Sequence, residues 1–305
     1  MRRIAFFITA LTIFSFACGL FTPTSTPDVQ PAPVTATVSA TEAFTPIPTF
    51  TQQAPTDSTQ PPAASAPETG YRLEEERLIN GYAIRIWRNP DSEIGFDNIL
   101  LIEAAGQAPI RVDMVSAIND TTGSDVNGDG NPEVVVETFS GGAHCCFGTQ
   151  VYSLRDAAVL ILQKPESNAG GYFEDLDGNY VQEFVTYDDS FAYQYCPFAA
   201  SVGVKSILTY DFTLNTYIPA SPRFPEQYTE DIDTHTQRAL AAPGELGEWD
   251  GTNMCAVLPL ALDYLYTGQP EIAKTEFYNR YSGLDTDQKW NEIFQVVQGS
   301  PLYIP

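Results

Sequence analysis

The residues best suited to chemistry lie at 125–133, DVNGDGNPE. Asp125, Asn127 and Asp129 alternate with Val126, Gly128 and Gly130, and Glu133 closes the run. Oxygen-bearing side chains at positions 1, 3, 5 and 9 of such a loop turn toward one point. A backbone carbonyl at position 7 adds an oxygen, and glycine at position 6 permits the sharp turn. Those last two are Asn131 and Gly130. An all-oxygen set suits hard Ca²⁺ rather than zinc. The spacing therefore predicts Ca²⁺ as cofactor, held by Asp125, Asn127, Asp129, Asn131 and Glu133. An EF-hand does not fit: its bidentate acid at position 12 would be Val136, and Glu-Val-Val-Val reads as a strand where a helix should follow. The competing reading is an Asp/Asn/Gly-rich β-turn that holds no ion.

The pattern repeats at an offset of 50 residues. Asp175, Asp177, Asn179 and Glu183 match the first loop, and Val181 stands at the carbonyl position. Tyr180 replaces the glycine at position 6, and a non-glycine residue at positive φ costs about 1 kcal/mol or more. This makes the second loop the weaker site. A third echo, Asn89, Asp91, Glu93 and Asp97, keeps the offsets without the glycine. A repeat of about 50 residues with several strands each is propeller-like, but the chain holds fewer than the four blades a closed propeller needs.

The stretch SGGAHCCFG follows the first loop and brings His144 beside Cys145 and Cys146. A Cys–His catalytic pair is disfavoured, because neighbours on a strand point to opposite faces. A vicinal disulfide is one alternative. The simpler expectation sends one thiol to Cys196 and the other to Cys255, two structural disulfides in an oxidising compartment. The loop and its strand resemble the calcium loops of FG-GAP and VCBS-type β repeats, as in integrin propellers, where position 9 closes the site. Together with SGGAHCC, the pattern is similar to a motif of bacterial exported proteins of unassigned function that carry FG-GAP-like repeats. The resemblance spans roughly residues 120 to 220 and implies a fold more than an activity.

Elements that could position these groups can be read on either side. Asn80-Gly81 between two β-rich runs predicts a hairpin over 71–88. Further strands are expected over 98–118, 133–139, 148–154, 157–163, 183–188, 191–195 and 205–218. The 191–195 run would place Phe191, Tyr193 and Tyr195 on one face, most simply as core. After about residue 225 the periodicity turns helical. Gly268 suits a C-cap, Pro270 the first turn of the next helix, and Asp285 with Gln288 a capping box. The expected fold is mainly β, of incomplete propeller-like or sandwich-like repeats, with a small C-terminal α-helical element: α+β overall.

The N-terminus bears a basic Met1-Arg2-Arg3 and an apolar run over 4–16, too short to span a bilayer. With Ala17 before Cys18 it resembles a bacterial lipoprotein signal, which implies lipidation of Cys18. An ordinary secretory peptide is the alternative, and either one implies export. Ten of the 23 prolines fall in 21–70, where no Lys or Arg occurs. Such a segment favours extended and coil states, and about 50 residues of it span roughly 40 Å r.m.s.. The organisation predicted is 1–17 signal peptide, 18–70 linker, 71–222 β-repeat domain and 223–305 helical subdomain. With 39 acids against 15 bases the chain is a poor ligand for nucleic acid. No nucleophile elbow, phosphate loop, dinucleotide fingerprint or zinc-protease helix occurs. The expected function is a non-enzymatic lipoprotein, anchored through Cys18 to the outer face of the cell membrane, calcium-stabilised, and binding an extracellular glycan or protein. The alternative is a secreted hydrolase whose acidic residues no spacing singles out.

Overall fold

The computed structural model describes residues 61–92, 97–142, 145–197, 201–241 and 252–305. The chain divides into two units, 1–54 and 55–305, and every described residue belongs to the second. The signal segment, Cys18, Glu93 and His144 lie outside the described residues.

Seven strands form an antiparallel meander in chain order: β1 Arg72–Ile79, β2 Tyr82–Arg88, β3 Asn98–Glu103, β4 Ile110–Ile118, β5 Glu133–Phe139, β6 Phe147–Leu154 and β7 Ala158–Ser167. Asn80 and Gly81 both take positive φ (50° and 81°), the two-residue turn whose twist matches the flanking strands. Tyr82, Ile84, Leu100, Ile102, Val134, Val136 and Leu154 belong to one buried cluster. Asn80 Nδ2 donates to Leu154 O at 2.7 Å and Tyr82 Oη to Arg155 O at 3.0 Å, so the first hairpin meets the end of β6 and the sheet curls around this cluster.

The second sheet holds β8 Gly171–Glu174, β9 Glu183–Asp188, β10 Val204–Asp211 and β11 Thr216–Pro219, in the order β11-β10-β9-β8. Four α-helices follow among the described residues: α1 Thr229–Leu240, α2 Met254–Tyr266, α3 Pro270–Arg280 and α4 Thr286–Gly299. The architecture is thus mainly β with C-terminal helices, as the sequence leads one to expect. Strand alternation makes the second sheet the middle of three layers. Phe184, Leu208 and Tyr217 pack with Val135, Val151 and Ile161 of the first sheet. Val185 and Ile207 pack with the helices. All residues of α2 except Tyr264 are buried, as befits a helix apolar on every side. Asp188 at the end of β9 accepts hydrogen bonds from Tyr266 Oη of α2 and from Ser300 Oγ just beyond α4, tying helices to sheet.

Several expectations need correction. Cys145 pairs with Cys146 and Cys196 with Cys255. The opposite-face argument assumed a strand, but β6 begins at Phe147 and Cys146 sits in the preceding connection with φ 97°. Cys196–Cys255 joins the segment after β9 to the start of α2 across 59 residues. By loop-closure entropy such a bridge contributes about 4 kcal/mol, whereas a bridge between neighbours closes no loop. Residues 191–195 form turns instead of a strand, with Tyr193 at φ 62°. Phe191 and Tyr195 still pack against the helical core, while Tyr193 is exposed. Gly268 ends α2 at φ 71° as expected, but Asp285 caps no backbone N–H of α4; its carboxylate accepts a hydrogen bond from Tyr281 Oη. Strand β8 has no sequence expectation, and helix α1 falls within the helical region expected after about residue 225.

Candidate metal centre

The first loop joins β4 to β5. Its alternation is enforced by side chain–backbone hydrogen bonds that fold each polar side chain inward. Asp125 Oδ1 accepts from Asp129 N at 3.1 Å and Oδ2 from Gly130 N at 2.8 Å. Asn127 Oδ1 accepts from Asp129 N at 2.9 Å, and Asp129 Oδ1 from Asn131 N at 2.9 Å. Gly130 has φ 89°, as position 6 requires. Gly128, at position 4, has φ 73°, and a Cβ there would lie 2.8 Å from Val181 Cγ2 of the second loop. Position 6 is glycine for its conformation alone, position 4 also for the close approach of a neighbour.

Glu133 opens β5 and is completely buried. Its Oε2 accepts from Val126 N at 2.8 Å, while its Oε1 is buried without a hydrogen-bond partner. Burial raises its pKa to about 7; Val126 N–H and the nearby Ser153 hydroxyl oppose the shift, and the charges of Asp129 and Asp125 add to it. Asp129 moves the other way. Burial would raise its pKa, but hydrogen bonds from Asn131, Arg155 and Asn127 outweigh that and hold it below the usual carboxylate value. Arg155, from the β6–β7 turn, donates to Asp129 Oδ2 through Nε at 2.9 Å and through Nη2. The same Nη2 donates to Tyr210 Oη of β10 at 2.7 Å. One carboxylate oxygen from each of Asp125, Asp129 and Glu133 lies within 4.8 Å of the others.

The second loop joins β8 to β9 and repeats most of these side chain–backbone bonds, although Glu183 Oε1 accepts from Thr209 Oγ1 at 3.4 Å where Glu133 Oε1 has no partner. Asp175 accepts from Asn179 N at 3.1 Å and from Tyr180 N at 3.0 Å, Asn179 Oδ1 from Val181 N at 2.7 Å, and Glu183 Oε2 from Leu176 N at 2.9 Å. Gly178 and Tyr180 take φ 75° and 69°, like Gly128 and Gly130. Tyr180, 88% exposed, takes the left-handed conformation at the local cost its Cβ imposes. Glu183 is completely buried, and burial raises its pKa. Asp175, Asp177 and Glu183 form the second carboxylate cluster within 4.8 Å, with Arg223 Nη2 3.7 Å from Asp177. Each cluster could hold a metal ion.

The remaining candidates fall elsewhere. Asn89 Nδ2 donates to Asp97 Oδ2 at 3.0 Å, and neither joins an acidic cluster among the described residues. Cys145, Cys146, Cys196 and Cys255 are in disulfides, and His235 Nδ1 lies 2.6 Å from Asp263 Oδ2, between α1 and α2. Sequence reasoning missed Arg155, which carries no local signal, and the position-4 glycines, which do: Gly128 and Gly178 recur at the same 50-residue offset. It also missed that the loops touch. Gln182 N donates to Val126 O at 2.8 Å, and Tyr217 Oη of β11 lies 3.3 Å from Val126 O and 3.1 Å from Gln182 O. Among the described residues no helix is long and apolar enough to cross a membrane. The chain matches no family model, no curated protein and no solved structure.

Proposed function

We propose that this protein is an exported, lipid-anchored, non-enzymatic β protein whose two loops bind Ca²⁺, and that it presents its folded part to an extracellular glycan or protein. The observation that carries the calcium reading is Glu133. A fully buried carboxylate with one oxygen unbonded, beside Asp125 and Asp129, is costly unless a cation completes it. The oxygen-only donor set, with Asn127 and the Asn131 carbonyl alongside, favours Ca²⁺ over softer metals. The second cluster takes the same ion through Asp175, Asp177, Asn179, Val181 O and Glu183. A loop closed at position 9 resembles those of FG-GAP-like repeats. The structural use of the ion is to fix the loops that launch β5 and β9.

Calorimetric titration of chelator-stripped protein with CaCl₂ tests the reading. Saturable binding is expected, with MgCl₂ much weaker because Mg²⁺ demands a tighter octahedral shell. A flat CaCl₂ titration would falsify it. Anchoring rests on the Ala17-Cys18 signal alone. Cys18→Ser is expected to move the protein from the membrane pellet to the soluble fraction, and an unchanged pellet defeats the lipid assignment.

A further inference from the structure

The two loops do not sit apart as independent turns. They meet through one peptide group, the one linking Val181 to Gln182. Its N–H donates to Val126 O of the first loop at 2.8 Å. The bond is trans, as are all described peptide bonds, so its C=O points the opposite way, away from Val126 O. That C=O is the position-7 carbonyl of the second ligand set. On the other side of the contact, Val126 lies between ligands Asp125 and Asn127, and its own N–H is held by Glu133 Oε2 at 2.8 Å.

Two further contacts lock this junction. Val181 Cγ2 packs against Gly128 at a distance that a Cβ there would violate. The buried Tyr217 hydroxyl bridges Val126 O and Gln182 O. Both closing acids, Glu133 and Glu183, are completely buried beside it.

Resting on the calcium reading above, we infer that the two sites are energetically coupled: an ion in either loop raises the affinity of the other through the Val181–Gln182 peptide and Tyr217. A cation on Val181 O polarises that peptide and makes its N–H a stronger donor to Val126 O, since chained hydrogen bonds reinforce one another. This holds Val126, and with it Asp125, Asn127 and Glu133, in the ligating arrangement. Filling the first loop fixes the same contact from the other side, so the ordering of the junction is shared between the two binding events. Linkage makes the effect reciprocal, with a single factor in both directions.

The test uses the full chain, stripped with chelator and titrated calorimetrically with CaCl₂. Wild type is expected to bind two ions. Asp175→Asn with Asp177→Asn removes the second site and is expected to weaken the first by about fivefold or more. Glu133→Gln is expected to weaken the second loop by the same factor. Tyr217→Phe removes only the bridging hydroxyl; it is expected to keep both ions and bind them along a shallower curve, a readout that stands even if the loop variants fail to fold. Unequal factors, a surviving site within about twofold of its wild-type affinity, or a Tyr217→Phe curve that superimposes on wild type would each overturn the coupling while leaving calcium binding intact. A single ion in wild type overturns it as well. No binding at all would instead remove the functional reading on which it rests.

Discussion

Chelation is expected to lower the thermal midpoint of the protein by about 10–20 °C, relative to protein with both loops filled in calcium at a hundred times their dissociation constants. A ligand that binds only the native state at that excess contributes about 2.7 kcal/mol per site, and for a domain of this size each kcal/mol moves the midpoint about 2–4 °C. The effect should be large here because the ion would act where two sheets are joined. The first loop launches β5 of the meander and the second launches β9 of the smaller sheet. Losing the ions leaves Asp125, Asp129 and Glu133 repelling one another across less than 5 Å, with Arg155 alone as counter-charge. Melts with EGTA and with excess CaCl₂, at equal ionic strength, measure the shift, and Mg²⁺ serves as control. Coincident curves would mean that calcium has no structural part in this fold.

The second large effect has an unusual sign. Glu133→Gln should make the metal-free protein more stable at pH 8, and at the same time abolish the calcium response of the first loop. The folded-state pKa of Glu133 is raised to about 7 from an ordinary 4.5. Its favourable contribution is therefore fully present below about pH 4.5 and is lost as pH rises through about 7. At pH 8, without a cation, the ionised side chain destabilises the fold by up to about 3 kcal/mol. Glutamine cannot ionise and still offers an oxygen to Val126 N, so this penalty disappears. Its amide brings a donor where Glu133 Oε1 has no partner. Denaturant titrations at pH 5 and pH 8 should show wild type losing stability across that range more steeply than the variant. A variant that is less stable than metal-free wild type at pH 8, or that keeps the full calcium response, would contradict the role assigned to Glu133.

Local order in this chain was legible wherever the sequence uses local rules. Asn80-Gly81 gave the first hairpin, β5 and β9 begin at the expected glutamates, and Gly268 stops α2. Both ligand loops were visible because their geometry is made by side chains bonding to backbone two to five residues away. Contacts between distant segments were not visible. Nothing near Arg155 or Tyr217 signals that they reach the first loop across 26 and 91 residues. The cysteine pairing misled for a related reason: the strand rule was applied to residues in a connection, where side chains do not alternate. Residues 191–195 illustrate the reverse, since aromatic β-propensity was overridden by a turn whose end is fastened to α2 through Cys196.

The three-layer arrangement has a consequence for the order in which the chain can fold. The meander is built of strands adjacent in sequence, so each hairpin can form as soon as its two strands exist, with little loop to close. The middle sheet has no such independence. Its helix-facing side packs with Tyr228 and apolar residues of α1 to α4, Ser206 Oγ donates to Leu302 O across 96 residues, and Asp188 waits for Ser300 across 112. Such distant closures slow folding because their entropy must be met before the contacts reward it. The first loop can take shape with the meander, but the junction with the second is completed only when Tyr217 and the helices behind it are in place. For a chain delivered N-terminus first, the early sheet offers a platform on which the rest assembles, and truncation within the last helix would remove the Ser300 and Leu302 closures of the middle sheet while sparing the meander.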